Sequence, residues 1–563
     1  MIDKAHRGPY TGITHAITVE AMQDGIQEMV SVRSLTVSFP SPGGKKRTVA
    51  VDNIDLSLEA GSSTGIIGES GSGKSVTCYS LTGLVGDLGG RVDSGSVTAF
   101  GVDMLHSDRA AVESVRRTKC AYVFQEPVPA LTPHTTIAGH FALRFSSMGI
   151  KRASEIRRRT EEILLEVQLP PSRRILRSFP RELSGGMAQR VMIGLALAGQ
   201  PELLIADEPT TSLDVTTRMR IMETVAAAAN RHTMGLLLVS HDVGLVAAMT
   251  RDVLVMNGGR IVERGAAAQV ISYPRHSYTQ SLISSVPVLS TRTFPRKSQE
   301  TKPILELSSV TVEYPNGVRA LDGVSLTFRT HESIGIVGES GSGKSTLVKT
   351  CLGLLPVTAG EVLVDGLDTS RMDAVQLREA KRRMQIIFQN PAGSFNPNIR
   401  MQRNLQEPLK ELTSLSETQR MEVIHSLLAQ VGLHKDVCKR YPRHFSGGQK
   451  QRLSITRSIS VSPMILFADE AVSSLDVSIQ AGVISLLNMI QQSLGFTLVF
   501  VTHDLAAASQ LCERIIVMRQ GMVVEEGPAA QVLTTPHHAY TRELLQAASW
   551  TDIAKLKKEG VYP

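Results

Sequence analysis

Short apolar runs recur along this chain in a fixed order, and each ends in its own kind of polar residue. STGII (63–67) and SIGIV (333–337) enter the same glycine-rich loop, GESGSGKS, at 68–75 and 338–345. Helical spacing resumes at once after each loop, in VTCYSLTGLV and TLVKTCLGLL. LLIADE (203–208) and ILFADE (465–470) end in paired carboxylates, while LLLVSHD (236–242) and LVFVTHD (498–504) end in a histidine. Apolar runs of this length, bounded by turn and acidic residues, predict buried strands. The stretches ASEIRRRTEEILLEVQL (153–169) and SETQRMEVIHSLLAQVGL (416–433) instead carry the spacing of amphipathic helices. The alternation predicts an α/β fold, written twice.

The echo extends well beyond the glycine loops. LTVSFP (35–40) answers VTVEYP (310–315), YVFQEP (122–127) answers IIFQNP (386–391), and LSGGMAQR (183–190) answers FSGGQKQR (445–452). A constant offset of 262 residues separates Ser184 from Ser446, Asp207 from Asp469 and His241 from His503. The first copy is longer just after its glycine loop, around GDLGGRVDSGSV. These matches predict two domains, 31–289 and 304–550, joined by a polar linker at 290–303 with two prolines. Residues 1–30 and 551–563 read as tails, the first of them flexible.

Composition narrows the classes. The chain has 563 residues, 42% hydrophobic and 20% charged, with mean hydropathy 0.00. No run approaches the roughly 20 apolar residues that span a bilayer, so contact with a membrane would have to be peripheral or come through a partner. A net charge of +7 is a weak pointer to anionic partners, and 4% aromatics do not suggest a base-stacking surface. The five cysteines form no CxxC pair and no metal-spaced cluster, which fits reduced thiols in the cytosol.

Strand, GxxxxGK[ST], helix is the context in which this loop cradles phosphates. With glycine at about 7% of residues, a chance match is expected on the order of a few hundredths of a time per chain, so two matches exclude chance. In Gly68-Glu69-Ser70-Gly71-Ser72-Gly73-Lys74-Ser75 and Gly338-Glu339-Ser340-Gly341-Ser342-Gly343-Lys344-Ser345, backbone N–H groups would converge on the phosphates. Lys74 and Lys344 would reach the β- and γ-phosphates, and the hydroxyls of Ser75 and Ser345 would ligate Mg²⁺. Asp207 and Asp469 suit the Mg²⁺-organising carboxylate, and Glu208 and Glu470, one residue on, the base that polarises water. His241 and His503, at the ends of their strands, suit a γ-phosphate contact.

With these elements in this order the chain resembles the ATP-binding-cassette (ABC) ATPases over nearly its whole length. The discriminating element is the SGG signature, Ser184-Gly185-Gly186 and Ser446-Gly447-Gly448. The resemblance implies two P-loop cassettes, each a RecA-like α/β core with an antiparallel β subdomain and a helical subdomain. It also implies head-to-tail pairing within the chain, so that each signature completes the site built by the other lysine. By the same resemblance Gln125 and Gln389 are Q-loop residues at Mg²⁺ or its water. Phe39 and Tyr314 lie on the adenine face, and Ser212-Leu213-Asp214 and Ser474-Leu475-Asp476 form the D-loops. Both Lys, both Glu and both His residues are present, which implies two competent sites. Met187 and Phe445 depart from the usual Gln and Leu.

The segments PRHSYTQSLISSVP (274–287) and PHHAYTRELLQAA (536–548) resemble the tails of dipeptide, oligopeptide, nickel and glutathione importer ATPases. That branch implies ATP and Mg²⁺ as ligands, two integral-membrane permease subunits as partners, and an extracytoplasmic solute-binding protein acting indirectly. It implies no nucleic acid, and a place on the cytoplasmic face of the plasma membrane. Many relatives hold an iron–sulfur cluster in a cysteine-rich tail, but 288–303 contains no cysteine, so none is expected here. The rival is a tandem-cassette translation factor on ribosomes. Such proteins carry a long charged helical linker, where this one is short and has no basic helix.

Overall fold

A computed structural model describes residues 28–41, 46–210, 213–290, 302–391, 393–472, 475–550 and 552–553. Most of the sequence-assigned tails and of the 290–303 linker, and the D-loop residues Ser212 and Ser474, therefore lie outside the described residues, while 28–30, assigned to the first tail, begin strand Glu28–Pro40. The chain divides into two compact units. One takes in residues up to Val286 together with the C-terminal stretch from Trp550, and the other is Pro287–Ser549.

In the first unit the larger sheet runs, edge to edge, Arg260–Ala266, Asp252–Asn257, Ser63–Ile67, Gly235–Val239, Leu203–Asp207 and Cys120–Val123. Its strands are parallel except for the edge pair Arg260–Ala266 with Asp252–Asn257. Three central strands, Ser63–Ile67, Leu203–Asp207 and Gly235–Val239, are buried at every residue. This is why their sequences read as unbroken apolar runs instead of alternating. Gly65 lets helix Val243–Met249 lie directly on the central strand, since a Cβ there would meet Val246 Cγ1 at 2.2 Å. A second sheet, antiparallel, pairs Glu28–Pro40 with Arg47–Glu59 on one side and Arg91–Ala99 on the other. It alternates buried and exposed residues over much of its length and closes one face of the core.

The second unit repeats the plan. Its larger sheet runs Met384–Ile387, Ile465–Asp469, Thr497–Thr502, Ser333–Val337, Arg514–Arg519 and Met522–Pro528. The antiparallel sheet is built on Pro303–Glu313, paired with Arg319–Arg329 and Ala359–Val364. The helical subdomains differ in their cores. Helices Met401–Leu412 and Glu417–Gln430 enclose a separate cluster with Phe395, Phe445 and Leu453. In the first unit the corresponding Leu131, Leu183 and Val191 join the core beneath the large sheet, together with Phe141 and Phe145. All five cysteines are buried free thiols. Among the described residues no helix is long and apolar enough to cross a membrane.

In an open α/β sheet, ligands sit beyond the carboxyl ends of the strands, at the point where strand order switches. Here Ser63–Ile67 and Ser333–Val337 each lie between a strand that follows the acidic pair and one that follows the histidine. Both glycine loops leave from that edge.

Candidate active site

Each glycine loop is a tight turn ending in a helix with an open N-terminus. Gly73 and Gly343 cap helices Lys74–Leu81 and Lys344–Cys351 in the left-handed region (φ 101° and 102°), and as glycines they offer no side-chain cap. Elsewhere in the chain Asp108, Thr136, Ser184 and Asp242 fill that role with a side-chain oxygen. A helix start without a side-chain cap is a setting that favours an anion. A Cβ on Gly73 would also meet Ala50 O at 2.5 Å, so glycine is required by space as well as by φ.

Lys74 and Lys344 are buried and turned back on their own loops. Lys74 Nζ donates to Gly68 O (2.7 Å) and Glu69 O (2.8 Å), and Lys344 Nζ donates to Gly338 O (2.8 Å) and Glu339 O (2.7 Å). Two neutral carbonyls satisfy the ammonium without cancelling its charge, so phosphate oxygens can replace them at little cost.

The acidic pairs divide into a buried and a reachable carboxylate. Asp207 lies at the end of a fully buried strand, and burial raises its pKa, as does the neighbouring Glu208, while Ser75 and Tyr122 oppose the shift. Tyr122 donates to its Oδ2 (2.9 Å), and its Oδ1 is buried without a hydrogen-bond partner. Asp469 is likewise raised, chiefly by burial. The Ser345 hydroxyl donates to its Oδ1 (3.2 Å) and opposes the shift.

Glu208 and Glu470 sit in the left-handed region at φ 47° and 46°, each held by a backbone N–H to the adjacent strand. For a residue with a Cβ this conformation costs of order 1–3 kcal/mol, and it recurs at the same position in both cassettes. The turn brings three sequence-assigned residues together. Gln125 Nε2 donates to Glu208 Oε2 (2.8 Å), and His241 Nδ1 lies 3.3 Å from Oε1. In the second cassette Gln389 Nε2 donates to Glu470 Oε2 (2.7 Å), with His503 Nδ1 at 3.7 Å from Oε1. Burial pulls the His241 pKa down, but the hydrogen bond and charge of Glu208 outweigh it, and the net shift is upward. A carboxylate steered by an amide on one oxygen and an imidazole near the other has a fixed orientation. That suits it to accept a proton from water.

The signatures start helices Gly185–Leu197 and Gly447–Ile459, with Ser184 and Ser446 as N-caps. Phe39 ends its strand half-buried, its ring against Gly90 and Val85 in the longer stretch of the first copy. Tyr314 reaches the helix after the second loop, with its hydroxyl 3.2 Å from Thr346 Oγ1. Tyr122 was absent from the sequence-derived set. The pairing of YVFQEP with IIFQNP contains the clue, because a tyrosine stands where the other copy has an apolar residue.

Comparison with known proteins agrees with this geometry. A family model described as ABC transporter matches residues 51–211 and 321–473, more than half of the chain. A second, described as Oligopeptide/dipeptide transporter, C-terminal region, matches 262–309 and 524–560. The chain is 38% identical to the peptidoglycan transport ATP-binding protein YejF of Agrobacterium fabrum, over 93% of this chain and 96% of that protein. It is 35% identical to the glutathione import ATP-binding protein GsiA of Pectobacterium atrosepticum, over 95% and 92%. To an ABC transporter ATP-binding protein of Escherichia coli, also called YejF, it is 36% identical over 92% and 99%. The chain belongs to the ABC transporter family and is a fused, two-cassette ATPase of its oligopeptide/dipeptide branch.

Proposed function

We propose that this ATPase drives uptake of a peptide-like solute through two integral-membrane permease subunits, from the cytoplasmic face of the plasma membrane. An extracytoplasmic binding protein would deliver the solute. The observation that carries this reading is the oligopeptide/dipeptide C-terminal segment, which follows both cassettes and not one alone. The relatives' names point to glutathione and peptidoglycan-derived cargo, both of which contain peptide bonds.

At each site the backbone N–H groups of the glycine loop and the lysine hold the phosphates of ATP. The adenine lies against Phe39 in one cassette and Tyr314 in the other. The residues around Asp207 fit a divalent cation: a buried carboxylate oxygen without a partner stands near a serine hydroxyl. Ser75, Asp207 and Gln125 would hold Mg²⁺ in the first site, and Ser345, Asp469 and Gln389 in the second. When bound, Mg²⁺ neutralises charge on the β- and γ-phosphate oxygens. Glu208 and Glu470 take the proton of the attacking water, while His241 and His503 contact the γ-phosphate. Head-to-tail pairing of the cassettes would bring Ser184–Gly186 to the nucleotide on Lys344 and Ser446–Gly448 to that on Lys74, so that ATP closes the pair and hydrolysis releases it.

The test is affinity capture of the tagged chain from detergent-solubilised native membranes, followed by mass spectrometry. Two polytopic permease subunits are the expected partners. Recovery of ribosomal proteins without a permease would overturn the importer reading and favour a ribosome-bound factor.

A further inference from the structure

The C-terminal segment that marks the branch also touches the phosphate loop, in the same way in both cassettes. The Tyr278 hydroxyl accepts a hydrogen bond from the Glu69 backbone N–H at 3.0 Å, across 209 residues of sequence. The Tyr540 hydroxyl accepts from the Glu339 N–H, also at 3.0 Å, across 201 residues. We infer that Tyr278 and Tyr540 are positioning residues of the two nucleotide sites, each holding the first peptide of its glycine loop from outside the cassette core. This inference rests on the glycine loops being the nucleotide sites.

The local construction argues against coincidence. In the first cassette the Glu263 carboxylate accepts from the backbone N–H groups of Arg275 (2.8 Å) and His276 (3.0 Å), which ties the segment to edge strand Arg260–Ala266. His276 Nδ1 then accepts from the Tyr278 N–H (3.1 Å) and fixes the first turn of helix Ser277–Ser284. The second cassette repeats each part. Glu525 accepts from His537 (2.7 Å) and His538 (3.1 Å), and His538 Nδ1 accepts from the Tyr540 N–H (3.1 Å). The carboxylate anchors the chain, the imidazole orients the helix, and the helix aims the phenol. Tyr540 is 1% exposed, with the Arg519 guanidinium 4.6 Å over its ring, so its hydroxyl has little freedom.

The peptide that each tyrosine holds is the one its lysine holds from the other side. The Glu69 N–H belongs to the Gly68–Glu69 peptide, whose carbonyl accepts from Lys74 Nζ. The same is true of Gly338–Glu339, between Tyr540 and Lys344. When a nucleotide draws the lysine onto its phosphates, that carbonyl loses its donor while the phenol still anchors the peptide. The tyrosine's contribution should therefore fall on nucleotide affinity and not on the chemical step.

Tyr278→Phe and Tyr540→Phe, alone and together in the full chain, keep the ring and remove the hydroxyl. Binding of a fluorescent N-methylanthraniloyl ATP should weaken roughly threefold to tenfold in the double variant, the value of one lost hydrogen bond per site. KM for ATP should rise by the same factor, with kcat at saturating ATP changed less than about twofold and the nucleotide-free unfolding midpoint preserved. Hydrogen exchange of the loop peptide spanning 68–75 should accelerate, a readout that serves even where a variant is less stable. Unchanged affinity, or a fall in kcat and midpoint at unchanged affinity, would overturn the positioning role. Lys74→Ala with Lys344→Ala is the separate control. If that double variant binds the analogue as wild type does, the reading of the loops as nucleotide sites fails, whatever the tyrosine variants show.

Discussion

The two cassettes share their loop geometry to within about a tenth of an ångström in the lysine contacts, yet they surround the buried aspartate differently. In the first, Tyr79, Tyr122 and Phe124 form a run of ring contacts, and Tyr122 donates to Asp207. In the second, Ile386 stands in place of Tyr122 and Lys349 in place of Tyr79. Asp469 instead takes the Ser345 hydroxyl, and burial of its charge is opposed by Lys344 and Lys349. A serine and the loop lysine stand by both carboxylates; the first adds a neutral aromatic donor and the second a further ammonium, Lys349. Residues that must touch the same chemistry are held constant, while those one layer out are free to differ. The two sites should therefore be chemically competent but unequal.

The largest test of that inequality removes the bases. Glu208→Gln and Glu470→Gln should each trap ATP in one site and lower steady-state phosphate release, and the double variant should fall by roughly 10²–10⁴, the usual contribution of a general base. Unequal residual rates in the two single variants would measure the difference between the sites directly. Full turnover in the double variant would remove both glutamates from the mechanism.

A smaller effect follows from making the first cassette copy the second. Tyr122→Ile takes the donor from Asp207 Oδ2 and leaves a second buried carboxylate oxygen without a partner. The expected cost is about 1–3 kcal/mol, read as a lower midpoint for the first unfolding transition. The converse, Ile386→Tyr, should change the second cassette less, because Asp469 already has its serine donor. Equal effects from the two substitutions would mean that the hydroxyl, and not the environment, sets the balance.

The division between what was legible in the sequence and what was not follows the same physical line. Lys74, Glu208, His241 and the SGG helix starts were readable as candidates because the same residue types recur at near-fixed spacing after matching apolar runs in both copies. The buried parallel strands were readable because burial on both faces leaves unbroken apolar runs. The contacts of Tyr122 and Tyr278 were not readable. They reach Asp207 and Glu69 across 85 and 209 residues, and nothing local says where a tyrosine hydroxyl points after the chain has folded. The left-handed backbone at Glu208 is similarly silent, since the letters ADE fit an ordinary strand end. The segment around Tyr278 was read as a marker of the branch, and its contact with the phosphate loop emerged only from tertiary structure.

A pH series probes the His241–Glu208 contact. His241 has a folded-state pKa above its ordinary value, so the pair's stabilisation is complete below about pH 6.5, the unperturbed histidine value, and is lost as pH rises through the raised one. The difference in unfolding midpoint between wild type and His241→Ala should shrink as pH is raised from 6 to 9. The same series in a Glu208→Gln background should be flatter, because the carboxylate that raises the pKa is gone. A difference that grows with pH would reverse the sign and show that the ring is held neutral.

The smallest effect lies in the signatures, where the first cassette again departs from the second. Ser446 accepts from the Gln449 N–H (3.3 Å), and Gln449 Oε1 accepts in return from the Ser446 N–H (3.2 Å), a reciprocal capping box. Ser184 accepts from the Met187 N–H (3.3 Å), but the Met187 thioether, only a weak acceptor, forms no capping box with it. Met187→Gln should complete the box and stabilise the helix start by about 0.5–1 kcal/mol, within the range of N-cap effects. Gln449→Met should lose a similar amount. A box that orders the helix start also fixes the serine and glycine N–H groups that an anion would meet, so Met187→Gln should bring the two cassettes' ATP affinities closer together. If the affinities stay apart while the helix gains stability, the inequality between the sites originates at the aspartates and not at the signatures.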